Sequence, residues 1–492
     1  MPLIDLVDAR ADVAPHASCI RDDAGELDNA TFAARVAGAA ASLAARGIRP
    51  GDVVAIKLSN RVELIVLLFA AWRLGAVVTP VNPALGPVET GYQVGDAGAA
   101  LLVVETQEDA ATGAGAAVVS VAELAGPEGA PATTRVPVRD DDLALLIYTS
   151  GTTGSPKGVM LTHANLSAMT ASFIEWFGMG PRDHSLLVLP LFHANGIVLG
   201  TLSALRAGGQ VTITGRFSRE RFFSDVERYR PTYFSAVPAI YALLSALPDD
   251  VVPDTSSLRF AVCGAAPMPA ELIRRFEERF DVTIVEGYGL SETTTASTIN
   301  PLDGLRKPGT VGLPLPGQRV AVVDDAGIPV PRGETGEVVI AGPVVMAGYL
   351  GRPDATAETI VDGWLHTGDI GRFDEDGYLL IVDRLKDMII RGGENVYPKE
   401  IENALYEHDA VLEAAVVGFA DDVLGEVPQA FVALRPGARV SEAQLLVLCA
   451  QRLAPYKRPV GVQFLDELPK NPVGKIDKRR LREVRGTLLS GD

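Results

Sequence analysis

The sequence predicts an α/β protein whose large N-terminal part holds two parallel-sheet subdomains and a small β-barrel-like one, followed by a small α+β domain. Short apolar runs alternate with helical patterns over the first 300 residues, as strands and their covering helices do in parallel sheets. After about Asn300, Gly and Pro become dense and β-rich pieces follow one another (VAVVDD, GEVVIAG, GYLLIVD). A second change of texture follows Asp383, where helical and strand patterns alternate again. At 492 residues the chain exceeds what one hydrophobic core supports, and a division into 1–384 and 385–492 is expected.

The elements follow in order. Thr31–Arg46 carries apolar residues at helical spacing and stops at Gly47, a suitable residue just past a helix end. Asp52–Leu58 reads as a buried strand, Glu63–Leu74 as a helix, and Ala76–Pro80 and Ala100–Val104 as strands. Ala111–Ala117 is expected to be a surface loop. Strand patterns recur at Ser185–Pro190, Val211–Thr214, Thr232–Val237 and Leu258–Cys263. In the last part Tyr397–His408 and Ser441–Arg452 read as helices, and Ala414–Phe419 and Ala430–Leu434 as strands.

Net charge is -18 with a pI near 4.9, an acidic balance that argues against nucleic acid as a partner. With 47% hydrophobic and 22% charged residues the composition is that of a soluble globular protein, and a cytoplasmic location is expected. Cys19, Cys263 and Cys449 lie far apart without CxxC spacing, so neither a disulfide framework nor a zinc site follows. The opening MPLIDLVDARADV lacks a basic segment followed by an apolar one, so no signal peptide is expected. Apolar stretches such as Leu64–Val78, interrupted by Arg73, fall short of the roughly 18 residues that a membrane span needs. The oligomeric state is not fixed by these features, and a homodimer stays open.

The stretch LIYTSGTTGSPKGVMLTHANL breaks an apolar run: ten of the eleven residues from Thr149 to Val159 are Thr, Ser, Gly, Pro or Lys, and a helix-like segment follows. A Gly-rich turn after a strand can aim several backbone N–H groups at an anion and lets it approach without a Cβ in the way. Thr149, Ser150, Thr152 and Thr153 add hydroxyl donors, and Lys157 adds charge. The Walker A pattern GxxxxGK[ST] is not met, since Lys157 is followed by Gly158, so a P-loop kinase or GTPase is disfavoured. On composition alone a phosphate cradle and a surface loop are equally open.

YTSGTTGSPKGVMLTH resembles the phosphate-binding signature of the adenylate-forming superfamily, which includes acyl-CoA synthetases, peptide-synthetase adenylation domains and firefly-type luciferases. The family's other signatures follow in order from Tyr148 to Lys475. The resemblance implies that Thr149, Ser150, Gly151, Thr152, Thr153, Gly154 and Lys157 hold the phosphates of ATP. EGYGLSETTT (Glu286–Thr295) resembles the second signature, which implies Tyr288, between Gly287 and Gly289, against adenine. There Ser291, a Thr in most members, would contact the α-phosphate, and Glu292 would hold Mg²⁺. Read alone, Glu292 is a carboxylate favoured by a helix N-terminus. CGAAP (Cys263–Pro267) resembles the turn lining the adenine and acyl pockets, here Gly264, Ala265, Ala266 and Pro267, and is equally a tight strand-to-helix turn.

LPLFHANGI (Leu189–Ile197) resembles the segment beside the acyl channel. Phe192, His193, Gly196, Val237, Gly264 and Gly287 are the implied pocket, with His193 given no acid–base role. In the third cluster Asp369 resembles the acid that accepts both ribose hydroxyls, as a carboxylate can. Arg384 resembles the arginine that also reaches the ribose; read alone, the two are turn and surface-pair residues. Lys386 matches the hinge of a mobile lid, and Gly392, Gly393 and Glu394 match the loop bordering the pantetheine tunnel. In LPKNPVGKIDKRRL, Lys475 matches the lid lysine that bridges the substrate carboxylate and the α-phosphate, while Lys478, Arg479 and Arg480 are expected to be solvated.

The implied function is ATP-dependent acyl-CoA synthesis. A carboxylate is a poor acyl donor because its leaving group would be oxide; joining it to AMP supplies a phosphate leaving group. Coenzyme A is the expected thiol, with loading of a carrier-protein arm, or a non-catalytic nucleotide-binding relative, as alternatives. Relatives that use malonate carry Arg where this chain has Gly287, so a hydrophobic acid (fatty, aryl or polycyclic) is expected instead of a short dicarboxylate.

Overall fold

The computed structural model describes residues 2–106, 115–124, 135–149, 156–266, 268–392, 394–421, 423–470 and 476–488, without the side chains of Lys386 and of 484–488. By contact density the chain divides into two compact units, Met1–Val320 with Ile340–His366, and Ala321–Val339 with Thr367–Asp492.

Two large sheets organise the first unit. One runs in the order Gly348–Tyr349, Lys157–Thr162, Leu143–Thr149, Val77–Pro80, Val53–Lys57, Ala99–Val104, Ala117–Ser120. Its centre is parallel, with Val54 opposite Val78 and Ala55 opposite Leu102, and Val77–Pro80 is buried at every position. Continuous burial on both faces is what an unbroken run of Val, Leu and Ile requires. Helix Val62–Arg73 is buried almost all round, consistent with its lack of a polar face, and Trp72 Nε1 donates to the carbonyl of Ala144 (2.9 Å). Helix Asn29–Ala45 starts two residues earlier than expected because the Asp28 carboxylate caps it, accepting from the Thr31 N–H (2.7 Å). It stops before Gly47, whose φ of 86° is left-handed.

The second sheet places Ile284–Tyr288, Phe260–Cys263, Tyr233–Ala236, His184–Leu187 and Gln210–Ile213 side by side in parallel. Candidate residues cluster beyond the carboxyl ends of these strands, where open α/β sheets bind ligands. The sequence is read differently at one point. The helix-like segment expected after Val159 does not begin there: Lys157–Thr162 is a strand, antiparallel to Leu143–Thr149, with Thr149 opposite Lys157. The helix begins only at His163, capped by the Thr162 hydroxyl. The run GVMLT, buried at all positions but Met160, suits a strand inside the sheet.

In the second unit, strand Trp364–Phe373 pairs antiparallel with Leu379–Arg384. A further sheet runs Glu394–Val396, Ile389–Arg391, Gly425–Leu434, Val411–Asp421, with Val462–Phe464 parallel to Gly425–Leu434. Helices Pro398–Tyr406 and Glu442–Arg452 cover it around Ile401, Leu405, Val416, Val432 and Leu445. The three cysteines are free and buried. Among the described residues no helix is long and apolar enough to cross a membrane.

Candidate active site

In the first unit the site is built around the end of strand Ile284–Tyr288. Gly287 and Tyr288 pair antiparallel with Ile299 and Thr298, so the chain must turn back at once. The turn is a short 3₁₀ helix, Ser291–Thr293, closed by the Leu290 N–H donating to Thr293 Oγ1 (3.1 Å). Thr294 then adopts a left-handed φ of 56°, a cost offset by its hydroxyl donating to the Val344 carbonyl (2.6 Å). Ser291 and Glu292 stand half-exposed on this turn. The Met346 N–H donates to the Glu292 carbonyl (2.9 Å), and the Tyr349 hydroxyl donates to its Oε1 (2.9 Å).

Thr149 and Lys157 face each other at the end of the strand pair, while Ser150, Gly151, Thr152, Thr153 and Gly154 lie outside the described residues. This end is tied down from behind. Tyr148 donates its hydroxyl to Asp96 (2.7 Å), Arg352 donates to the same carboxylate (2.8 Å), and Tyr92 donates to the Pro156 carbonyl (2.9 Å). Lys157 Nζ sits 5.0 Å from the centre of the Tyr349 ring.

At the next strand end Ala265 takes a φ of 68°, unusual for a residue with a Cβ, in the turn Gly264–Ala266; Pro267 lies outside the described residues. A Cβ at Gly264 would stand 3.5 Å from the Gly287 carbonyl, an ordinary contact, so these two small residues lie side by side at the ends of adjacent strands. Val237 is half-buried ahead of helix Pro238–Ser245. Phe192 and His193 lie ring to ring at 4.5 Å, and His193 precedes the short helix Ala194–Ile197 that contains Gly196. Asn60 fixes this segment, donating to the Leu189 carbonyl (2.9 Å) and accepting from the Leu191 N–H (2.8 Å). A π-helical turn follows at Val198–Leu202.

In the second unit Asp369 and Arg384 are opposite each other across the strand pair, with Arg384 Nε 2.9 Å from Asp369 Oδ1. Asp369 is 2% exposed, whereas the arginine is open to solvent. The two residues are thus one ion pair. The neighbouring Asp383 is buried, accepts the N–H groups of Arg384 (2.7 Å) and Lys399 (2.8 Å), and has its pKa raised to about 6 by that burial. Gly392 takes a φ of 61° in the tight turn between Ile389–Arg391 and Glu394–Val396, its N–H donating to the Leu424 carbonyl (2.7 Å). Gly393, Lys475 and the Lys386 side chain lie outside the described residues.

Sequence reasoning missed Asn60, Asp96 and Tyr349, which act through space on loops that are distant in the chain. The only signals were their positions: Asn60 after a buried strand, Asp96 at a helix end, and Tyr349 in GYLGRP.

Residues 7–350 match the AMP-binding enzyme family, and residues 400–475 match the AMP-binding enzyme C-terminal domain. The chain belongs to the AMP-binding enzymes, the adenylate-forming superfamily. Its sequence is 41% identical to a feruloyl-CoA synthase of Amycolatopsis sp over 97% of this chain and 98% of that protein. ATP-bound MatB from Rhodopseudomonas palustris superposes with a TM-score of 0.92 at 34% identity, covering 99% of each chain. The o-succinylbenzoate coenzyme A synthetase MenE from Bacillus subtilis, in complex with ATP and magnesium ion, gives 0.87 at 32% identity over 97% of this chain and 98% of that one.

Proposed function

We propose that this protein is an ATP-dependent, AMP-forming acid–CoA ligase for a hydrophobic carboxylic acid. The observation that carries the reading is the match along nearly the whole chain to CoA ligases, with the nucleotide signatures in order. ATP, coenzyme A and the acid are its substrates. The carboxylate oxygen attacks the α-phosphorus and pyrophosphate leaves; the coenzyme A thiol then attacks the acyl carbonyl and AMP leaves.

The residue roles are those that the resemblance to the family implies, and the chemistry is consistent with them. Two anions must meet in the first step, so charge has to be neutralised where they meet. The Thr149–Lys157 stretch takes the β,γ-phosphates, and the Ser291 hydroxyl donates to the α-phosphate. Tyr288, with Gly287, Gly289 and the Gly264–Pro267 turn, takes adenine. Asp369, kept in place by Arg384, accepts the ribose hydroxyls. Lys475 supplies the cation between the carboxylate and the α-phosphate. Among the described residues no three His, Cys, Asp or Glu side chains form a metal cluster. Glu292, the acidic residue of the second signature, would hold Mg²⁺, for which one hard carboxylate is suitable. When bound there, Mg²⁺ withdraws charge from the phosphates and makes pyrophosphate a better leaving group. Lys386 serves as hinge, with 385–492 as the lid and Gly392–Glu394 beside the pantetheine arm.

The small or apolar residues Phe192, Gly196, Val237, Gly264 and Gly287 support a hydrophobic acyl group, whether fatty, aryl or polycyclic. The test supplies ATP, Mg²⁺ and coenzyme A with arylpropenoic, medium-chain, long-chain and short dicarboxylic acids, and measures AMP and thioester. Acid-dependent AMP with an aryl or fatty thioester is expected. ADP as product, or preference for a dicarboxylate, would refute the reading.

A further inference from the structure

Tyr349 lies outside every motif from which the reaction was read, yet it touches both a group assigned to the metal and a group assigned to the phosphates. Its hydroxyl donates to Glu292 Oε1 (2.9 Å), and its ring carries the Lys157 ammonium 5.0 Å from its centre. The residue is 9% exposed and anchored on every side. It sits on the edge strand Gly348–Tyr349, opposite Val159, and its N–H donates to Thr356 Oγ1 (2.9 Å). Three residues back, the Met346 N–H holds the Glu292 carbonyl (2.9 Å); three residues on, Arg352 binds Asp96, which also takes the Tyr148 hydroxyl. One short segment therefore grips the Glu292 turn and the end of the Leu143–Thr149 strand together.

A carboxylate rotates broadly about its last torsion, so one fixed hydrogen bond sets which oxygen faces a cation. A ring under an ammonium limits where a flexible lysine can point. We propose that Tyr349 is a positioning residue for adenylation, its hydroxyl setting the Glu292 carboxylate and its ring setting Lys157 against the phosphates of MgATP. This rests on the roles given to Glu292 and Lys157 above.

The test titrates Mg²⁺ in two assays, ATP binding by calorimetry and ATP–pyrophosphate exchange, on wild type, Tyr349→Phe, Tyr349→Leu and Glu292→Gln, with thermal unfolding of each. Loss of one charge-assisted hydrogen bond should raise the half-saturating Mg²⁺ about three- to tenfold in Tyr349→Phe, with exchange at saturating Mg²⁺ within about twofold of wild type. Tyr349→Leu should weaken ATP binding by roughly a further threefold through the lost ring, a loss that disappears in the Lys157→Met background. An unchanged Mg²⁺ midpoint in Tyr349→Phe, when Glu292→Gln shifts it, overturns this inference alone. If Glu292→Gln also leaves the midpoint unchanged, the role of Glu292 and the inference fall together. An equal loss of rate at all Mg²⁺ concentrations, with a matching fall in thermal midpoint, identifies a purely structural tyrosine and overturns the inference too.

Discussion

Gly289 is required by space alone. A methyl group there would stand 2.3 Å from the Thr295 carbonyl oxygen, 2.6 Å from the Ala296 Cα and 2.8 Å from the Thr295 carbonyl carbon. Ordinary contact begins near 3.4 Å, so the Thr295–Ala296 backbone would have to retreat by about 1 Å. It is poorly placed to do so: the Thr295 N–H donates to the Leu290 carbonyl (2.9 Å), the Ser297 N–H to the Tyr288 carbonyl (2.7 Å), and Thr294 is pinned to Val344. Overpacking of this kind costs about 1–3 kcal/mol, so Gly289→Ala should lower the thermal midpoint by several degrees. The same turn carries Ser291 and Glu292, so the rise in midpoint on adding MgATP should also shrink. Gly91 is the contrast. A Cβ there meets nothing within 4 Å in helix Pro87–Asp96, and Gly91→Ala should stabilise by about 0.5–1 kcal/mol without altering the MgATP increment. Unfolding of both variants by calorimetry, with and without MgATP, decides the matter. An unchanged midpoint and an unchanged nucleotide increment in Gly289→Ala would refute the steric argument.

Other expectations concern charge. Burial lowers the pKa of His163 and His184 to about 4, so the unfolded chain binds their protons first; stability present above about pH 6.5 should be lost as pH falls to about 4. Urea midpoints across that range should show this, and His184→Gln should flatten the limb; an unchanged slope in the variant would contradict it. Asp383 has the opposite sign. Its pKa is raised to about 6, so its contribution is most favourable at low pH, declines from about pH 4 to 6 and is level above. Carboxyl NMR should place its midpoint near 6, and a midpoint near 4 would contradict the burial argument. Asp369→Asn leaves the Arg384 cation without its partner and should raise the KM for ATP about ten- to hundredfold, with a smaller change in kcat. A change confined to kcat would speak against ribose binding.

Much of this was legible in the sequence, and the gaps have physical causes. Strands such as Val53–Lys57 and Phe260–Cys263 announced themselves because burial on both faces demands unbroken apolar runs. Helix Glu442–Arg452 was legible as the pattern Ser441–Arg452; the structure adds that Ser441 caps it, accepting from the Gln444 N–H. The helix-like segment expected after Val159 begins instead at His163, because Met160–Thr162 fits either period until the partner strand is known. Asp369 and Arg384 were read as separate ribose contacts; their pairing depends on strand register, which local sequence does not carry. Tyr349 and Asp96 were invisible for the same reason, since each meets its partners across more than fifty residues of chain.

The central claim is that acid activation precedes and is separable from thiol transfer. ATP–pyrophosphate exchange measured without coenzyme A tests it most directly. Exchange that requires a hydrophobic acid, and that collapses in Glu292→Gln and Lys475→Ala while both variants still convert presupplied acyl-adenylate to thioester, is the predicted result. Exchange independent of acid, or equal loss in both half-reactions, would contradict the account.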